Sequence, residues 1–114
     1  MKNILFICSQ NRLRSPTAEQ IFASHPSIEV SSAGTNHDAE NPLSRELIEW
    51  ADLIFAMERQ HRSKVQKRFR ASLNGKRIVV LDIPDDYEFM DPALIALLEA
   101  RMKRHLPPAP LPTE

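Results

Sequence analysis

The sequence predicts an α/β fold, a three-layer sandwich with a four-stranded parallel sheet between helices. Three observations carry that expectation. Short continuous apolar runs such as Ile4-Leu5-Phe6-Ile7 and Ile78-Val79-Val80-Leu81 read as strands buried on both faces. Between such runs lie segments whose apolar residues recur at helical spacing. The two patterns alternate along the chain, which implies right-handed crossovers and hence parallel pairing.

Each element has its own warrant. After the first strand, Ser15-Pro16 reads as an N-cap followed by Pro at the first helical position, with Ala18, Ile21 and Phe22 on one face. Ile28–Ser32 is a second strand, stopped by Ala33-Gly34, and residues 35–41 form a loop. Asn41-Pro42 opens a short helix with Leu43, Leu47, Ile48 and Ala51 inward. Leu53–Met57 is the third strand. A basic helix follows from Glu58 to about Ala71, with Val65 and Phe69 on one face. Asn74-Gly75 turns the chain into the fourth strand, Ile78–Leu81. Residues 82–91 are an acidic loop, and Asp91-Pro92 opens a last helix bearing Leu94, Leu98 and Met102.

Length and composition bound the function. A chain of 114 residues, 42% apolar and 26% charged, fits one soluble domain, expected over 1–105, with a Pro-rich tail over 106–114. One Cys excludes an intramolecular disulfide, and no Cys/His spacing suits a metal; no cofactor is expected. Fifteen Lys+Arg balance fifteen Asp+Glu, which argues against a nucleic-acid partner. No stretch reaches the length of a membrane span, and Ile4–Ile7 is too short for a signal-peptide core, so a cytoplasmic monomer is expected.

Chemistry concentrates in Cys8-Ser9-Gln10-Asn11-Arg12-Leu13-Arg14-Ser15. This segment joins a buried strand to a helix N-terminus, where loop amides and the helix dipole attract an anion. A Cys at the start of such a loop sits where its thiolate is favoured. Arg14, six residues later, has the planar fork that holds two oxygens of one phosphate. Ser15 can cap the helix or donate its hydroxyl to the thiolate. Nucleophile, amide nest and guanidinium together suit a cysteinyl-phosphate mechanism. Ligands of such sheets bind beyond the strands' carboxyl ends, where both Cys8 and the acidic loop should lie. Within that loop, Asp82 ends a strand, Asp91 is explained as a cap, and Asp85 and Asp86 remain as acid candidates.

The segment Cys8–Ser15, followed by Pro16 and Ala18-Glu19, resembles the signature loop of the low-molecular-weight protein tyrosine phosphatases. Ser32-Ala33-Gly34-Thr35, Ala51–Met57 and Ile83-Pro84-Asp85-Asp86-Tyr87 agree in order. The resemblance implies a sheet of order 2-1-3-4 with a phosphate-binding loop after the first strand. It implies Cys8 as nucleophile and Arg14 as clamp, with phosphate bound by the loop Ser9, Gln10, Asn11, Arg12, Leu13, Arg14 and Ser15. Asn11 would hold the loop's backbone with Ser15 and Ser32 in support. Asp85 would be the general acid and base, and Tyr87 would line the pocket rim. The implied substrate is a phosphorylated protein, phosphotyrosine by default, or a small phosphate ester.

Several positions depart from the family's pattern. Gln10 stands where Gly is usual, and Leu13 where a second Cys is common. Arg12 stands where an apolar residue would meet the substrate's ring. Between Gly34 and Ala51 the chain is much shorter than in the family, so a shallower, more open site is expected. Two other functions compete. A phosphate-binding regulatory module would keep the cradle and lack turnover; an arsenate reductase would need an outside thiol. Elsewhere, Arg59–Arg77 carries eight cations and no acid, read first as a solvated helix face. Trp50 is expected at the core's rim, and His25, His37, His61 and His105 at surface or boundary positions.

Overall fold

The structure, a computed structural model, describes residues 2–106. Its elements run β1 (Lys2–Cys8), α1 (Arg14–Phe22), β2 (Ile28–Gly34), α2 (Arg45–Trp50), β3 (Leu53–Ala56), α3 (Arg59–Arg68), α4 (Arg70–Leu73), β4 (Ile78–Val80) and α5 (Pro92–Met102). The strands form one parallel sheet of order β2-β1-β3-β4. The central strand β1 explains the layers. Successive side chains of a strand point to opposite faces. Ile4, Phe6 and Cys8 therefore join the cluster containing Ala18 and Phe22 of α1 and Leu94, Leu98 and Met102 of α5. Leu5 and Ile7 join Ile48 of α2, Val65 of α3 and Leu73 of α4 on the other face. Ile4–Ile7 are all fully buried, which is why this run shows no alternation of polar residues.

Strands β3 and β4 each end one residue earlier than the sequence predicts, at Ala56 and Val80, and four other boundaries differ for a local reason. Ser15 is not the N-cap of α1: the helix starts at Arg14, and the Ser15 hydroxyl is turned to Cys8 instead. Pro16 is then the third helical residue, where its missing N–H is still one of those without an intrahelical partner. Strand β2 runs on to Gly34, paired with Cys8. Asn41-Pro42 does not open α2, because Pro42 bridges to Gly34; the helix starts at Arg45, capped by Ser44 Oγ accepting from Leu47 N at 3.3 Å. The basic helix breaks at Phe69, whose backbone (φ −125°, ψ 29°) is not helical. Asp91 caps α5 as expected, its Oδ1 accepting from Ala93 N at 2.9 Å. Asn74 (φ 46°) and Gly75 (φ 80°) make the turn before β4.

Trp50 is half-buried against the α2–α3 side of the core. Leu106, assigned to the tail, packs partly buried on the opposite cluster; the rest of the expected tail, 107–114, lies outside the described residues. No helix among the described residues is long and apolar enough to cross a membrane.

Candidate active site

The site is built on the end of β1. Cys8 is buried, and its Sγ lies 2.9 Å from Ser15 Oγ in the first turn of α1. Between them Asn11 adopts the left-handed region (φ 57°), which Asn tolerates better than most residues. Its Nδ2 donates to Ser15 Oγ and to Ser32 Oγ, each at 2.9 Å. Each serine, having accepted, keeps its own proton for the next group. Ser32 donates to Glu19 Oε1, and the Ser15 proton is free for Cys8 Sγ. The polarity of the chain thus places a donor on the sulfur.

Three of the loop carbonyls are taken up by backbone donors. Ser9 O accepts from Asn36 N at 3.0 Å, Gln10 O from Glu40 N at 3.0 Å, and Leu13 O from Thr17 N at 3.1 Å. Among the described residues no hydrogen bond uses the backbone N–H groups of residues 9–13. Those donors are left for an anion, in the manner of a backbone nest. The short connection 35–41 therefore braces the loop from outside. Gly34 belongs to the same brace: a Cβ there would stand 2.5 Å from both Ser9 O and Ala39 Cβ.

Arg14 is 3% exposed and is gripped from two elements. Its Nη1 donates to Glu58 Oε1 at 2.6 Å and to Ile83 O at 2.8 Å. Glu58, the cap of α3, is held below the usual carboxylate range, chiefly by the hydrogen bond from Arg14. Ile83 N donates to Met57 O at 2.8 Å, which fixes the start of the acidic loop beside Arg14. Met90 N donates to Thr17 Oγ1 at 2.9 Å and ties the loop's far end to α1. Asp85 then stands with Oδ1 3.6 Å from Arg14 Nε, its side chain 66% exposed.

Cys8, Ser9, Gln10, Arg12, Leu13, Arg14 and Asp85 line one cavity of about 210 Å³. Asn11, Ser15 and Ser32 lie behind it in the supporting network. Arg12 is exposed at the cavity and pairs loosely with Glu40, Nε to Oε1 3.4 Å. Tyr87 is not among the lining residues; it packs half-buried on the core cluster that includes Leu81 and Leu94. Asp86 is exposed and does not line the cavity. No group of three or more His, Cys, Asp or Glu among the described residues could hold a metal.

Two residues of the site were missed in the sequence. Glu58 is the only acid beside the run of eight cations. His61, expected at the surface or a boundary, is fully buried, with Nε2 2.9 Å from Ser9 Oγ and Nδ1 3.0 Å from Glu58 N. Its pKa is lowered to about 4 by burial first and by the Arg14 charge second. The one available signal was position: His61 stands three residues after Glu58, where a capping-box partner belongs. Of the basic run, Arg68 donates to Thr35 O at 2.6 Å and Lys76 to Ile48 O at 2.8 Å, so these two serve the fold.

Comparison with known proteins agrees with this geometry. The family model described as low molecular weight phosphotyrosine protein phosphatase matches residues 3–51, which include the loop and its brace. The protein-arginine-phosphatase of Bacillus subtilis (strain 168) is 33% identical over 94 residues, 59% of this chain and 63% of that protein. The chain thus spans under two thirds of that relative's length. The YwlE arginine phosphatase from Geobacillus stearothermophilus superposes with a TM-score of 0.73 at 24% identity, over 92% of this chain and 90% of that one. The tyrosine phosphatase Wzb from Escherichia coli K30, solved in complex with phosphate, gives 0.74 at 24% identity, over 92% and 96%. In its signature loop and the sheet that carries it, the chain is similar to the low molecular weight phosphotyrosine protein phosphatases.

Proposed function

We propose that the protein is a cysteine-dependent phosphomonoester hydrolase working through a phosphocysteine on Cys8. The observation that supports this best is convergence: Cys8, Arg14 and Asp85 meet on one cavity, although Asp85 lies far along the chain. The unpaired amides of residues 9–13 and the Arg14 guanidinium receive the phosphoryl oxygens and match the charge that develops on them. Cys8 Sγ, steadied by the Ser15 hydroxyl, attacks phosphorus and forms the S–P bond. The ester P–O bond breaks, and Asp85 gives its proton to the leaving oxygen. The Asp85 carboxylate then takes a proton from water, which attacks phosphorus, breaks the S–P bond and releases phosphate. Asp85 is preferred to Asp86 because only Asp85 lines the cavity.

The substrate is a phosphorylated protein or a small phosphate ester, with phosphotyrosine the first candidate. Phosphoarginine is the second reading. One feature of the site favours it: among the described residues no aromatic side chain lines the cavity, and an exposed carboxylate and an exposed Arg flank it. A non-catalytic phosphate-binding module would use the same cradle. An arsenate reductase is disfavoured because Cys8 is the single cysteine. Turnover of p-nitrophenyl phosphate, then of phosphotyrosine and phosphoarginine peptides, separates these. Hydrolysis that is lost in Cys8→Ser supports the phosphatase. Tungstate binding without any hydrolysis would establish the binding module instead.

A further inference from the structure

We infer that His61 is a positioning residue that sets the Ser9 hydroxyl as a hydrogen-bond donor to the anion in the cavity. The argument follows the protons. A backbone N–H can only donate, so His61 Nδ1, 3.0 Å from Glu58 N, is the acceptor and carries no proton. The neutral ring must then carry its proton on Nε2. Nε2 lies 2.9 Å from Ser9 Oγ, so that oxygen accepts. The Ser9 hydroxyl keeps its own proton, and no other side-chain or backbone acceptor takes it among the described residues. Ser9 lines the phosphate cavity, so the remaining donor serves the ligand. The path runs from Glu58 N–H through the imidazole and the serine to the anion. It repeats, on the other side of the loop, the polarity that Asn11 and Ser15 impose toward Cys8.

Burial makes the arrangement rigid. His61 is fully enclosed, and Nδ1 protonation would set two donors against each other at Glu58 N. The same ring sits at the third position of α3 while Glu58, its partner in the cap, holds Arg14. One helix N-terminus therefore positions two ligand-facing groups, the Arg14 fork through Glu58 and the Ser9 hydroxyl through His61. The inference rests on the reading that the cavity takes a phosphoryl group.

The test is tungstate affinity by calorimetry, which needs no turnover, in a double-mutant cycle of Ser9→Ala and His61→Asn. A hydrogen bond to a charged ligand is worth about 1.5–3 kcal/mol, so Ser9→Ala should weaken tungstate by roughly 10- to 150-fold. Ser9→Thr, which keeps a hydroxyl, should restore most of it. His61→Asn should weaken binding in wild type but cost little more in the Ser9→Ala background. Additive losses would make His61 a general structural residue and overturn the inference, as would unchanged affinity in Ser9→Ala. If His61→Asn does not fold, the Ser9 pair and the imidazole tautomer decide. Long-range ¹⁵N correlation spectra should show protonated Nε2 and bare Nδ1; the opposite tautomer would refute it. Absence of p-nitrophenyl phosphate hydrolysis with intact tungstate binding would defeat the hydrolase reading and leave this inference standing.

Discussion

Arg14 Nη1 and Glu58 Oε1 are 2.6 Å apart, although 44 residues separate them in the chain. The guanidinium is almost fully buried, while the carboxylate keeps about a third of its side-chain surface in water (34%). The contact aims the guanidinium that lines the cavity, and its carboxylate also serves as the cap of α3. Glu58→Ala removes both. A lost cap costs about 1–2 kcal/mol, and a misaimed clamp costs up to about 10²-fold in kcat/KM. Denaturant unfolding and steady-state kinetics should show both losses, with Glu58→Gln intermediate because it can still cap. Unchanged kcat/KM in Glu58→Ala would mean that Ile83 O alone holds Arg14.

Asp85 should matter in proportion to the leaving group's need for a proton. Asp85→Asn should slow hydrolysis of an alkyl or unactivated aryl phosphate by about 10²–10⁴-fold, the usual worth of general acid–base catalysis. The same change should cost less in forming the phosphocysteine from p-nitrophenyl phosphate. Asp86→Asn, outside the cavity, should leave both within a few-fold. A loss at Asp86 without one at Asp85 would reverse the assignment.

The fold could be read from the sequence because its evidence is local and repetitive. Ile4–Ile7 are apolar because a strand covered on both faces has nowhere to place a polar side chain, and the edge strand Ile78–Val80 keeps the β-branched run although Val79 and Val80 are only half-buried. The loop was readable for the same reason: Cys8, Asn11, Arg14 and Ser15 fall within eight consecutive residues. The helix starts were misread where a residue with capping chemistry was used elsewhere, Ser15 for Cys8 and Asn41 for Ser32 O, beside the bridge of Pro42 to Gly34. Glu58 and His61 were invisible because their partners are 44 and 52 residues away. A histidine in a basic run looks solvated until a loop closes over it. Tyr87, given the rim through family resemblance, packs half-buried on the core cluster.

Gly34 should not accept a side chain. Its φ is not left-handed; the constraint is space, since the added Cβ would be 2.5 Å from Ser9 O and 3.1 Å from Asn11 N. Gly34→Ala should cost about 1–3 kcal/mol, the usual scale for overpacking, and should weaken tungstate binding by pushing the loop outward. Calorimetric Tm and tungstate titration check the two effects separately. Normal affinity with a lowered Tm would show that the loop yields without losing its shape.

Stability should fall on acidification through His61. Its folded pKa, about 4, lies below the ordinary 6.5, so between these values the unfolded chain binds more protons. Stability therefore rises with pH across that window; the contribution is complete above about pH 6.5 and lost toward pH 4, on the order of 3 kcal/mol. Burial also lowers His105, which adds in the same direction. Glu58, likewise lowered, adds a loss at more acid pH. Unfolding free energy measured from pH 7 to pH 4 should decline less steeply in His61→Asn. Parallel curves for the two proteins would remove His61 as the source.

Acid-quenched turnover of p-nitrophenyl phosphate, followed by mass spectrometry of the peptide that contains Cys8, bears most directly on the proposed chemistry. One phosphoryl group on Cys8, absent from Cys8→Ser along with all hydrolysis, is the predicted result. Hydrolysis that persists in Cys8→Ser, or a phosphoryl group found on another residue, would contradict it.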